Sequence, residues 1–333
     1  MLASAIDGVS FHLIENLAAV PAGLRGAVVA IGNFDGVHRG HQAVLDVARE
    51  EAARHGVPAL ALTFEPHPRT LFRPEAPVFR LTPPDVKAEV MDALGLDGIV
   101  VVPFDREFAS RSADDFIGDV LIGALGMRHA VTGHDFHFGR DRQGSPSFLK
   151  AAGADRDFGV TVVSAFSDEG GALVSSSRVR AALEAGDIAL ANGLLGYHWF
   201  VRATVRHGDK RGRTLGFPTA NMALGADCRL RHGIYAVTLR HDGKVWQGVA
   251  SYGRRPTFDD GAPLLEVFVF DFSGDLYGAT VEVALHGHIR DELKFDSVDA
   301  LVARMHRDSD EARAMLAAAR PLSALDLSIG LVA

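Results

Sequence analysis

Ala27-Val28-Val29-Ala30-Ile31 runs directly into Gly32-Asn33-Phe34-Asp35-Gly36-Val37-His38-Arg39-Gly40-His41, and this junction decides how the first half of the chain is read. Five consecutive apolar residues describe a strand buried on both faces, and the helical pattern that follows runs from His41 to His55. Between them the glycines permit tight turns close to a ligand. His38 and His41, three residues apart at a helix entrance, can turn both rings toward one point. Two imidazoles beside the orphan amides of a helix N-terminus suit a polyphosphate and the charge that develops in phosphoryl or nucleotidyl transfer. The competing account is a metal-binding pair or two exposed histidines. The strand-to-helix setting favours the phosphate reading.

Outward from that junction the same alternation repeats. Ala59–Thr63, Gly98–Val102, His129–Thr132 and Gly159–Val163 read as further buried strands separated by helix-like stretches, which predicts a parallel sheet covered on both faces up to about Glu184. Ligands of such sheets bind outside the carboxyl ends of the strands. After about Gly186 the texture changes. Trp199–Val205, Gly233–Leu239, Val245–Ser251, Leu264–Phe270 and Thr280–Leu285 are short β-rich runs with turn residues such as His241-Asp242-Gly243 between them, as in a small antiparallel barrel. Ser297 reads as the cap of a last long helix over 298–318. Ala185-Gly186-Asp187 is the expected hinge, giving domains 1–186 and 187–333, as the length of 333 residues suggests.

Composition narrows the function classes. A net charge of −8 argues against a broad nucleic-acid-binding face, so positive groups that handle phosphate must be concentrated locally. One cysteine, Cys228, excludes a disulfide framework within the chain and suits a reducing compartment. No basic start precedes an apolar run, and no run of eighteen apolar residues occurs, so a signal peptide and a membrane span are not expected and the cytoplasm is. Oligomeric state is left open.

Further strings carry chemistry. Ser175-Ser176-Ser177-Arg178 opens a helix after the fifth strand, where hydroxyls, first-turn amides and a guanidinium make an anion cradle or, more plainly, a capped helix with a surface cation. Thr63-Phe64-Glu65-Pro66-His67-Pro68 and Gly133-His134-Asp135-Phe136-His137-Phe138-Gly139 place aromatics at the carboxyl edge of the sheet, suited to a flat ligand or to plain core packing. In the second half, Gly208-Asp209-Lys210-Arg211-Gly212-Arg213 reads as a basic flap or a solvated charge run, with spacing that rules out a Walker A loop. It leads to Gly216-Phe217-Pro218-Thr219-Ala220-Asn221.

The His38-Arg39-Gly40-His41 string resembles the H-x-G-H nucleotidyltransferase superfamily. With the two aromatic loops, it looks like the adenylyltransferase half of prokaryotic bifunctional FAD synthetases. Gly216–Asn221, Gly253-Arg254-Arg255-Pro256-Thr257-Phe258, Leu265-Glu266-Val267 and Asp271–Gly278 resemble riboflavin kinases. The resemblance covers roughly residues 20–320. It implies a Rossmann-like nucleotidyltransferase domain, followed by a small antiparallel β-barrel of the riboflavin kinase type with a terminal helix. The substrates it implies are riboflavin, FMN and ATP, with Mg²⁺ as cofactor. It assigns ATP to Gly32, Asn33, Phe34, Asp35, His38, His41 and Ser175–Arg178, and flavin to Phe64, Pro66, His67, Asp135 and Phe136. In the kinase half it assigns phosphates to Gly208, Lys210, Gly212 and Arg213, ATP and Mg²⁺ to Thr219 and Asn221, the proton-accepting role to Glu266, and flavin to Arg290 and Glu292. Three positions depart from the pattern: Phe268 stands where many relatives carry His, Ser251-Tyr252 where Asn-Ile or Asn-Leu is usual, and Ser177 where Thr is commoner. Two rivals remain: a nucleotidyltransferase for another phosphate substrate, and a flavin-sensing regulator without turnover.

Overall fold

The computed structural model describes residues 11–208, 215–254 and 263–332. They form two compact units: the chain up to Val78 with Thr82–Val174, and Phe79–Leu81 with the chain from Ser175 onward.

The first unit is built on six parallel strands. β1 (His12–Ile14), β2 (Val28–Ile31), β3 (Ala59–Glu65), β4 (Gly98–Pro103), β5 (His129–Gly133) and β6 (Gly159–Val163) lie in the order β1-β4-β3-β2-β5-β6. All four residues of β2 are buried, as a central parallel strand requires. β3 and β4 extend the sheet on one side of β2, and the chain then crosses to lay β5 on the other. That reversal makes the carboxyl end of β2 the switch point, where a crevice opens. Helix α1 (Arg39–His55) leaves from there and stops at Gly56, whose φ of 62° supplies the left-handed cap. Helix α2 (Pro84–Ala93) buries Val86, Lys87, Ala88, Val90 and Met91. The five strands expected from sequence are present. β1 is additional, because three residues carry no readable period.

The second unit opens with helices α3 (Ser176–Ala185) and α4 (Ile188–Leu195), joined through Gly186 and the capping side chain of Asp187. Ala185-Gly186-Asp187 is thus a helix–helix turn inside this unit. β7 (Phe200–Thr204), β8 (Thr219–Ala223), β9 (Gly233–His241), β10 (Lys244–Gly253), β11 (Leu264–Val269) and β12 (Thr280–Arg290) pair antiparallel in the order β7-β12-β9-β10-β11-β8. Just beyond β7, the Arg206 amide donates to the Asn221 carbonyl at 2.8 Å, a bridge that brings the two edges together and closes the barrel. β9 and β10 turn through Asp242-Gly243, both at positive φ (48° and 71°), as a two-residue hairpin demands. Helix α5 (Val298–Ala318), capped by Ser297, packs Ala312 and Leu316 against Ala236 and Phe270. β8 and a final helix α6 (Ala324–Ile329) were not expected from sequence. Among the described residues no helix is long and apolar enough to cross a membrane.

Helix α6 is fastened by a buried polar chain. Asp326 Oδ1 accepts from the His198 amide at 3.0 Å, and Oδ2 lies 2.8 Å from His198 Nδ1. The His286 ring lies 4.3 Å from that of His198. Thr238 Oγ1 donates to the Leu331 carbonyl and so accepts from His286 Nε2–H at 3.0 Å. Burial, with His198 alongside, pushes the His286 imidazole from its ordinary 6.5 to about 3. Burial opposes the Asp326 carboxylate, but hydrogen bonds from His198 and Leu322 outweigh it and hold that carboxyl below its ordinary range.

Between pH 6.5 and about 3 the unfolded chain therefore binds a proton at His286 that the folded chain refuses, so stability rises with pH across this window. Asp326 acts in the same direction at the acid end. The denaturation midpoint of the full chain should fall as pH drops from 7 to 5. His286→Gln keeps the donor to Thr238 without titrating and should flatten that slope. An equally steep slope in the variant would assign the acid sensitivity to other groups.

Candidate functional site

The loop between β2 and α1 is held from several directions. Phe34 and Val37 adopt positive φ (48° and 38°), which is costly for a β-branched residue and persists only where surroundings over-determine it. Both are buried. Asp35 Oδ1 accepts from the Thr82 amide at 3.1 Å, and the Gly36 amide donates to Thr82 Oγ1 at 2.9 Å. The Asn33 carbonyl accepts from Thr63 Oγ1 and from Lys87 Nζ, each at 2.9 Å. Lys87, 1% exposed, also reaches Thr63 Oγ1 at 3.1 Å and Glu65 Oε1 at 3.5 Å.

That loop delivers the two histidines. His38 caps α1, its Nδ1 accepting from the His41 amide at 3.3 Å, so in the neutral ring the proton sits on Nε2. The two rings stack with centroids 3.6 Å apart, and His41 meets the Phe34 ring edge-on at 5.3 Å. A side chain at Gly40 would press within 3.2 Å of the His38 ring, which is why a small residue separates the pair. Arg39 turns away from the loop. It grips Glu169 through two bonds of 2.6 and 3.0 Å and covers the Phe166 ring, and the Glu169 bond holds its pKa above the ordinary value. Two imidazoles at the mouth of a 17-residue helix are groups of the kind that can hold a polyphosphate.

The expected flavin residues of this unit are divided. Phe64 is buried among Phe104, Phe108 and Phe116, with centroids 5.7 to 6.2 Å away. Phe136, half-buried, stacks on buried Phe138 at 5.3 Å. Pro66 follows a cis peptide, and His67 caps the short helix Pro68–Phe72 by accepting from the Arg69 amide. Asp135 stands at an exposed turn. Ser175 caps α3, accepting from the Arg178 amide at 3.4 Å, with Ser176 and Ser177 in the first turn; these residues belong to the second unit.

In the barrel, register builds the site. Asn221 on β8 lies directly opposite Glu266 on β11, and Glu266 in turn lies opposite Ser251 on β10. Directly paired residues share a face, so Ser251, Glu266 and Asn221 form one row, while Leu265 and Val267 are buried on the other. Thr219 pairs with Phe268 one step along the same face. Asn221 Nδ2 donates to the Thr219 carbonyl at 3.1 Å, which makes Oδ1 the outward acceptor. A Cβ on Gly208 would lie 2.6 Å from Asn221 Nδ2, so a larger residue there would have to push the Asn221 amide aside. Phe268 packs against Phe217 and Phe270. Lys210, Gly212 and Arg213 lie outside the described residues, as do 255–258.

Arg290 clamps buried Asp308 with bonds of 2.9 and 2.6 Å, joined by Arg304 at 2.8 Å, and so ties the end of β12 to α5. Glu292 is exposed, 3.7 Å from His232 Nδ1. Sequence reasoning missed Lys87. Its one signal was a lysine amid the apolar face of α2. It also missed the Ser251–Glu266–Asn221 row, which no single segment contains.

Residues 20–178 match the family model described as FAD synthetase, and residues 195–316 the one described as riboflavin kinase. The bifunctional riboflavin kinase/FMN adenylyltransferase of Pseudomonas fluorescens is 42% identical over 92% of this chain and 98% of its own length. The protein of the same name from Escherichia coli K12 is 40% identical over 92% and 98%. A solved structure described as a macrolide-efflux protein from Streptococcus pneumoniae is 33% identical and superposes with a TM-score of 0.81, covering 91% of this chain and 98% of that one. With a parallel-sheet unit that presents paired histidines at its switch point and a barrel that presents Glu266 beside Asn221, this chain belongs to the bifunctional riboflavin kinase/FMN adenylyltransferase family.

Proposed function

We infer that the chain makes FAD in two ATP-consuming steps: the C-terminal part phosphorylates riboflavin to FMN, and the N-terminal part adenylylates FMN with release of pyrophosphate. The division of labour is proposed as 1–186 and 187–333. The observation that carries this reading is that each unit gathers its own polar cluster, the stacked His38 and His41 on one and Asn221 opposite Glu266 on the other.

In the kinase step the ribityl hydroxyl oxygen bonds to the γ-phosphorus, the bond to the β-phosphate oxygen breaks, and ADP leaves. Glu266 takes the hydroxyl proton. Support for that role comes from its place in the row with Asn221. Thr219 and Asn221 offer a hydroxyl and an amide oxygen, hard donors that fit Mg²⁺. When bound there, Mg²⁺ would offset the charge of the ATP phosphates. Gly208, Lys210, Gly212 and Arg213 are proposed to close over the phosphates, with Arg290 and Glu292 on the flavin side. The hydrogen bonds from Arg290 to Asp308 favour a positioning part for Arg290 rather than direct contact.

In the adenylyl step an FMN phosphate oxygen attacks the α-phosphorus and pyrophosphate departs. His38 and His41 offset the developing charge, with Gly32, Asn33, Phe34 and Asp35 shaping the ATP loop. Ser175–Arg178 are proposed to hold the pyrophosphate, and Phe64, Pro66, His67, Asp135 and Phe136 to form the flavin side. Burial of Phe64 favours an edge contact through Phe136.

Chromatography of flavins over time, with riboflavin, ATP and Mg²⁺, tests the scheme: FMN should rise first and FAD follow. His41→Ala should abolish FAD formation and leave FMN formation largely intact; equal loss of both overturns the division. Glu266→Ala should make FAD from supplied FMN but little FMN from riboflavin, and a normal kinase rate would mean that another group takes the proton. Gly208→Ala, by pushing on the Asn221 amide, should lower kinase turnover by about tenfold or more while adenylylation is unchanged. Undiminished kinase turnover would show that the loop gives way at no cost.

A further inference from the structure

At the end of the parallel sheet opposite to the histidine pair, three donors of metal-ligating type converge. Glu51 and His55 lie one turn apart on α1, and His129 begins β5. One donor atom from each lies within 4.8 Å of the other two. His55 is about 21 Å along the helix axis from His41, at about 1.5 Å per residue, so this cluster is separate from the adenylyl-transfer site.

An acidic and a basic residue at i,i+4 are commonplace on a helix surface, and by themselves would say nothing. The third donor changes that. His129 is held in place: its Nε2 lies 2.8 Å from Thr161 Oγ1, and its ring occupies the space that a side chain at Gly159 would need. Metal-ligating histidines are typically steadied in this way, one ring nitrogen bonded to a neighbouring group and the other left to the ion. The location also suits a cation, since the C-terminal end of a helix dipole is negative and α1 ends at His55. Glu51, only 12% exposed, is paired with Arg54 at 2.9 Å, but the Arg54 side chain is 64% exposed and can swing into solvent when a cation takes its place.

We propose that Glu51, His55 and His129 form a binding site for a divalent transition ion of the zinc class, fastening the C-terminal end of α1 to the start of β5. Two imidazoles and one carboxylate are a donor set for Zn²⁺ or Co²⁺, with a remaining position for water. Bonds of about 2.0–2.2 Å bring tetrahedral donors to about 3.3–3.5 Å from one another. The donors lie within 4.8 Å of one another, with His55 Nε2 already 3.9 Å from Glu51, so closing the set requires small rotations of His55, whose side chain is 49% exposed, and of Glu51, while His129 stays anchored on Thr161.

The test uses the full-length chain, treated with chelator and then titrated with Zn²⁺ or Co²⁺ alone, without nucleotide. The expected result is one ion per chain at this site, a visible Co²⁺ absorption band and a Zn²⁺-dependent rise in Tm. His55→Ala, at an exposed position, and Glu51→Gln, which keeps the size and shape of the side chain, should remain folded, lose the Co²⁺ band and bind Zn²⁺ at least about tenfold more weakly. His41→Ala should bind as the parent does. No retained ion in the parent chain, or unchanged binding in both α1 variants, overturns the site. Loss of binding in His41→Ala with retention in His55→Ala would place the ion at the other end of the helix and overturn it as well.

Discussion

The carbonyl oxygen of Asn33 receives two buried donors, Thr63 Oγ1 and Lys87 Nζ. An ammonium withdrawn from water is tolerable only when strong acceptors surround it. Here Asn33, Thr63 and Glu65 provide them. This small network ties β3 and α2 to the turn that leaves β2. The turn holds two non-glycine residues at positive φ, closed locally by the Val37 amide on the Phe34 carbonyl at 3.2 Å and fixed to the fold by these longer-range contacts. Because α1 starts where that turn ends, the Asn33 contact, with the Thr82 bonds to Asp35 and Gly36, sets where His38 and His41 stack and where the helix amides point.

The barrel depends on a different kind of constraint. Side chains alternate along a strand, so a register slip of one residue would turn Glu266 inward and bring Leu265 or Val267 to the working face. Register is held by the buried alternation of β10 and β11 and by the Arg206–Asn221 bridge. Asn221 therefore serves closure through its backbone and the site through its side chain. Gly208 passes beside it, where a larger residue would press on the Asn221 amide. Phe268, on the same face as Glu266, adds an apolar ring to this barrel's wall through its contacts with Phe217 and Phe270.

Charge is deployed economically in a chain of net charge −8. Arg290 and Arg304 converge on buried Asp308, and Arg202 and Arg240 on Glu282, so cations are spent on pinning β12 to its neighbours. Removing one member of such a buried set leaves an uncompensated charge, at a cost of about 3–5 kcal/mol. Exposed pairs such as Arg49–Asp46 contribute little.

Local pattern was sufficient for the alternating strands of the first unit, for α1, for the Ser297-capped helix and for the motifs that name the family. Each is written in consecutive residues, through apolar runs, 3.6-residue periodicity or a cap. Five strands of the barrel were legible for the same reason. β1 and β8 were not: three residues in one case and a glycine- and proline-led signature in the other show no period, and both become strands only because a partner, β4 or β11, offers a free ladder. Lys87 could not be found from sequence, since its acceptors sit 22 to 54 residues away. Arg290 could be found, but its bond to Asp308 could not. The residue types needed for phosphoryl and adenylyl transfer were thus set by sequence alone. Which of them meet was decided by strand register and by the sheet's switch point, because contacts between distant segments leave no local trace.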